Sequence, residues 1–171
     1  RFDRFTRKPK IVYERQGDQA TVTLTSRPRT WLGGIIRVET DEPQDWYLRF
    51  SKDVPLEVTC EGSKADLHLN FSTTPLRKLE MRVDKASIYL KLGETEPLVK
   101  VAIFGEDSDV RLRVPRNVGL RVTGEEYRSY LSRLGLQERN GGFVCGGFDT
   151  LQNRIEVDVD SQLSSFAIDF F

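Results

Sequence analysis

The sequence predicts an all-β fold, a β-solenoid-like stack of short strand pairs with one short helix inserted near the C-terminal half. Three observations predict it. Apolar and polar residues alternate with period two through most of the chain after residue 46, the pattern of strands with one buried face. The strands come in pairs whose inward residues recur, with Leu67, Ile88 and Val110 following one another at intervals of 21 and 22 residues. A period of about 20 to 50 residues marks a stacked architecture, in which one unit buries its apolar face only against its neighbours. A single stretch, Glu125 to Leu134, has the period of a helix. An immunoglobulin-like sandwich also has alternating strands, but it predicts no near-constant repeat.

Residues 1–45 read as an N-terminal linker with short strands, and 46–171 as the repeat domain. Ile11 to Arg15, Ala20 to Ser26 and Ile35 to Glu39 are short strands, rich in the β-branched residues that suit a half-buried pleated surface. Gly17-Asp18 and Gly33-Gly34 punctuate them. Trp46 to Phe50 reads as a further strand, with Trp46, Leu48 and Phe50 on one face.

The repeats follow. Their first strands turn inward Leu56, Val58 and Cys60; Leu79, Met81 and Val83; Val99, Val101 and Ile103; and Ile155, Val157 and Val159. Their second strands turn inward Leu67, Leu69 and Phe71; Ile88, Leu90 and Leu92; Val110, Leu112 and Val114; and Phe166, Ile168 and Phe170.

Between Val114 and Ile155 the repeat is interrupted. Pro115 ends a strand, and Leu120 and Val122 begin another. Tyr127, Tyr130, Leu131 and Leu134 then fall at i, i+3, i+4 and i+7, one face of a helix. Glu125 and Glu126 suit its positive end, and Gly135 stops it. Asn140-Gly141-Gly142 is a turn, Phe143 to Cys145 a short strand, and Gly146-Gly147 another turn.

Composition excludes several functions. The 171 residues carry 26 Lys plus Arg and 26 Asp plus Glu, a formal net charge of zero. A nucleic-acid binder needs a basic footprint, so none is expected as a partner. No apolar run approaches the ~20 residues that cross a bilayer as a helix. The chain opens on Arg1 and its single methionine is Met81, which suggests a processed fragment. Membrane association would then depend on a segment that this chain lacks. Residues 1–10 are basic, consistent with a solvated linker or a juxtamembrane stretch.

The run PLEVTCEGSKADLHLNFSTTPLRKLEMRVDKASIYLKL resembles the toast-rack family of bacterial proteins. So do the Val114-Pro115 step with Val118-Gly119-Leu120 and the closing IEVDVDSQLSSFAIDF. Pro55-Leu56 matches the family's strand entry, and Ala65 and Ala86 its small turn position. Glycine is absent before Ala86, and Ser161-Gln162-Leu163 replaces a Ser-Gly-like turn. The resemblance covers residues 46–171 and rests on pattern rather than on reactive residues. It implies a domain like the C-terminal domain of LiaF-like proteins, which are membrane-associated components of cell-envelope stress responses. A similar stack occurs in adhesin-like bacterial domains of unknown function, and the resemblance carries no catalytic residues.

The chemistry-bearing residues are few. Cys60 falls in the slot of Val83, Ile103 and Val159, a small buried apolar position. Cys145 lies among glycines, and the sequence leaves open whether the two pair. His68 is the single histidine and alternates with inward neighbours, so it faces outward without a second ligand or triad partner. Asp107/Asp109 and Asp158/Asp160 lack EF-hand spacing, and the latter pair shares one outward strand face. No phosphate loop or nucleophile elbow is present, and no catalytic residue, metal or cofactor is expected.

One surface feature stands out. With the repeats in register, outward positions form two ladders, one of His68, Tyr89 and Arg111 and one of Asn70, Lys91 and Arg113. His68, Tyr89, Lys91, Arg111 and Arg113 are the candidate ligand or partner surface. The expected function is a non-enzymatic, membrane-associated sensing, regulatory or interaction domain of the bacterial cell envelope. It would bind a protein partner or an envelope component. The alternative is an extracellular adhesin-like or carbohydrate-binding module.

Overall fold

The computed structural model describes residues 10–16, 19–25, 50–159 and 162–171. The chain separates into two compact units, residues 1–49 and 50–171. In the first, β1 (Lys10–Gln16) pairs antiparallel with β2 (Gln19–Thr25). The expected strands at 35–39 and 46–49 lie outside the described residues. Phe50 is described and is not in a strand.

The second unit is all-β apart from one short helical segment. Its first repeat gives β3 (Leu56–Ser63) and β4 (Asp66–Asn70). The next two give β5 (Leu76–Asp84) and β6 (Ser87–Lys91), then β7 (Leu98–Phe104) and β8 (Asp109–Val114). The interruption supplies β9 (Gly119–Thr123), α1 (Arg128–Arg133), β10 (Gln137–Arg139) and β11 (Gly142–Val144). The last repeat is β12 (Arg154–Val159) and β13 (Ser165–Phe170).

First strands join one sheet and second strands another. The seven-stranded sheet runs β10-β11-β9-β12-β7-β5-β3, and the four-stranded sheet β13-β8-β6-β4. Pairing between repeats is parallel throughout. Leu67 pairs with Ile88, Ile88 with Val110 and Val110 with Phe166, the column that the 21- and 22-residue intervals predict. The inward faces of the two sheets make one core, in which Leu79, Met81, Leu90, Ile103 and Leu112 are fully buried.

The first three strand pairs turn from one sheet to the other at a corner residue with positive φ: Lys64 (52°), Lys85 (53°) and Asp107 (51°). None is glycine, so each bears the cost of the left-handed region. The corners are tied to one another by backbone hydrogen bonds. The Lys64 N–H donates to the Asp84 carbonyl and the Lys85 N–H to the Glu106 carbonyl, both at 2.9 Å. Ser108, fully buried, accepts from the Ala86 N–H at 3.0 Å and has the Val83 carbonyl at 3.0 Å from its own hydroxyl.

Two expectations are corrected. Cys60 pairs with Met81, not Val83, because β5 begins at Leu76 and the register shifts at the Leu56/Glu57 step; Val83 lies beside Gly62. The helix expected over 125–134 divides into a 3-10 turn, Glu125–Tyr127, and α1. No side chain caps its start, and a tight 3-10 turn takes up the end instead. Its end follows the sequence. Gly135, at φ 85°, closes a Schellman motif in which Gly135 N–H donates to Ser132 and Leu136 N–H to Leu131. One strand, β10, lies in a stretch to which the sequence analysis assigns no element. It pairs antiparallel with β11 around Asn140-Gly141, the dipeptide that favours two-residue hairpins.

Candidate functional site

The outer face of the four-stranded sheet is built by strand alternation. In β4, β6 and β8 the inward residues anchor the core, so every second side chain points to solvent. The registers set His68 beside Tyr89 and Tyr89 beside Arg111. One row further on, Asn70 lies beside Lys91, Lys91 beside Arg113 and Arg113 beside Asp169. The five candidate residues therefore share one face.

Their electrostatics differ from one to the next. Arg111 Nε is 2.6 Å from Asp169 Oδ2, and that hydrogen bond holds the guanidinium pKa above its usual value. Its charge is thus compensated within the fold. His68 Nε2 lies 3.5 Å from Asp66 Oδ1, with both side chains exposed, and its ring centroid is 5.8 Å from that of Tyr89. Arg113 Nη1 donates to Tyr89 Oη at 3.2 Å. Lys91 Nζ sits 4.4 Å from the Phe171 ring centroid, and Arg113 Cζ sits 5.2 Å from it. An aromatic face attracts cations without neutralising them. Lys91 and Arg113 consequently keep their charge available beside an apolar ring.

Sequence reasoning missed Phe171 and Asp169. The signal was present. Aligning Phe166 with Val110 puts Asp169 in the Lys91–Arg113 row, one strand position from Arg111, whose charge it compensates diagonally. Phe171 follows the last strand, and no alternation rule reaches it.

The remaining candidates are placed as follows. Cys60 and Cys145 are both free thiols, each half-buried. Cys60 lies in β3, and burial pushes its pKa up, so the thiol stays protonated. Cys145 accepts from the Leu120 N–H at 3.0 Å and donates toward the Val118 carbonyl at 3.7 Å, which makes it a tie between β9 and its flanking loops. Asp158 is an outward residue of β12, Asp107 is a corner residue, and Asp160 lies outside the described residues. Among the described residues no helix is long and apolar enough to cross a membrane.

No family model and no curated protein matches the chain. A solved structure does: a proposed cell adhesion protein from Clostridium sporogenes, with a TM-score of 0.72 and 18% identity over 96% of this chain and 77% of that one. At that identity the likeness shows the fold alone, and the fold it shows is this all-β arrangement.

Proposed function

We propose that the chain is a non-enzymatic, adhesin-like binding domain of the bacterial cell envelope. Its contact surface is the face that carries Tyr89, Lys91, Arg113 and Phe171, with His68 and Arg111 at its margin. The observation that carries the reading is the juxtaposition of an exposed ring and two cations that form no ion pair with any other described residue, in a protein of zero formal net charge. Such a protein has no global field to draw ligands, so its attraction for an anionic or aromatic group is local. The likeness to a proposed cell adhesion protein supports the same reading. On this view the parallel rungs are a toast-rack stack, which suits a display role because rigid strands fix outward side chains in rows. The envelope-sensing, LiaF-like reading rests on the sequence resemblance.

The test is retention of the purified domain on isolated bacterial envelope at low and high salt. Lys91→Ala with Arg113→Ala reduces retention, and salt reduces that of the wild type, since exposed charges are screened within ~8 Å at physiological ionic strength. Arg111→Ala, which removes a charge already paired, has the smaller effect. Equal retention of wild type and double variant refutes the site. Recovery of one defined membrane protein, rather than a surface polymer, favours the sensing role.

A further inference from the structure

We propose a second binding site, for a neutral saccharide unit, on the outer face of the seven-stranded sheet. The registers across that face place Lys78, Lys100, Glu156 and Arg121 in one row. The next row holds Glu80, Ala102, Asp158 and Thr123. Ala102 has the smallest side chain of the eight, and the surface sinks over it. The result is an open depression of about 390 Å³. That volume falls within the ~300–1,000 Å³ of ordinary small-ligand sites.

Its rim carries both signs of charge. Lys78 is engaged by Glu80 at 3.2 Å, and Arg121 donates to the Asn140 carbonyl at 2.8 Å. Lys100, Glu156 and Asp158 make no ion pair with any other described residue. A carboxylate only accepts hydrogen bonds and an ammonium only donates them. A net anion in the depression would face Glu156 and Asp158, and a net cation would face Lys100 and Arg121. A neutral polyol satisfies both, because each hydroxyl donates and accepts. Neighbouring strands lie ~4.8 Å apart, so these groups converge on an area the size of one sugar ring. The Ala102 methyl offers that ring's C–H face an apolar contact. Hydrogen bonds to charged partners are roughly twice as strong as neutral ones, which offsets the openness of the site. A single unit then binds in the region of 1 mM (about −4 kcal/mol), and a polymer binds more tightly through repeated engagement.

Host-cell glycans and bacterial wall polysaccharides share this chemistry, and the experiment separates them. The whole chain is applied to immobilised neutral oligosaccharides ending in galactose, glucose or mannose, to neutral wall polysaccharide, and to polygalacturonate. Binding to at least one neutral arm is expected, unaffected by salt, and the arm that binds identifies the source. This salt-independence sets the site apart from the cationic face of the other sheet. Ala102→Phe fills the depression and abolishes binding. Asp158→Asn weakens it about tenfold, the loss of one charge-assisted hydrogen bond. Both positions point outward, and an unchanged melting midpoint verifies the fold; should Ala102→Phe not fold, Asp158→Asn decides. Three outcomes overturn the proposal: no neutral arm bound at millimolar concentration, both variants binding like the wild type, or a salt-sensitive preference for polygalacturonate.

Discussion

The two ends of the stack have the same alternating pattern and different fates. At one end, β12 is flanked by β9 and the β10–β11 hairpin, and β13 is covered by the segment around α1. Tyr130 Oη accepts the Ile168 N–H at 2.7 Å, and the Tyr127 ring packs 5.3 Å from that of Phe166. Leu131 is fully buried beneath them. At the other end, no described strand pairs with the outer edges of β3 and β4. Leu56, Val58, Cys60, Leu67 and Leu69 are each half-buried there, although Leu79, Met81 and Leu90, one rung inward, are at 0% exposure. Phe50 and Val54, near this end, are 43% and 54% exposed. The difference teaches that burial in a stack belongs to the pair of neighbours, not to the strand. An unpaired edge also leaves backbone groups free to recruit other strands, and Glu57 and Glu61, outward on β3, are the charges that discourage such pairing.

The largest test of that contrast is a matched pair of truncations. Leu90→Ala, inside the stack, is expected to cost about 2–5 kcal/mol, whereas Leu69→Ala at the open end costs about 1 kcal/mol. Denaturant unfolding measures both, and equal losses would mean that the β3–β4 end is as well covered as the interior. Ser108→Ala probes an inner corner. It removes the acceptor of the buried Ala86 N–H and is expected to cost about 1–3 kcal/mol. A loss below the error of the measurement would show that the rungs are not held through this hydroxyl. Tyr130→Phe has the smallest effect on stability, about 0.5–1.5 kcal/mol, and the sharpest local one. It removes the partner of the Ile168 amide, so that amide should exchange faster while Leu90 stays protected. Unchanged exchange at Ile168 would break the claim that Tyr130 closes this edge.

Much of the fold was legible because strand alternation has a strict period. Once Leu67, Ile88 and Val110 were seen to recur, their neighbours' inward or outward direction followed, and so did the rows of the outer faces. The helix end was legible as well, since Gly135 is the residue that the Schellman geometry favours. The left-handed corners were not: lysine at 64 and 85 gives no local sign of positive φ, and these residues hold it because the hydrogen bonds between corners outweigh the strain.

The functional face shows the same division. Alternation and repeat length place His68, Tyr89, Lys91, Arg111 and Arg113 together, but charge compensation depends on which strand lies next door. β13 pairs with β8, and Asp169 therefore reaches Arg111 and leaves Lys91 and Arg113 to Phe171. In the other sheet the last repeat does not follow β9 in space as it does in the chain. β12 enters between β7 and β9, so that Glu156 and Asp158 border the depression over Ala102. Local pattern decides which way each side chain points, because the backbone's own period is two. The order of strands is decided by competition among several apolar edges of similar pattern for the same neighbours, and only the folded chain resolves that competition.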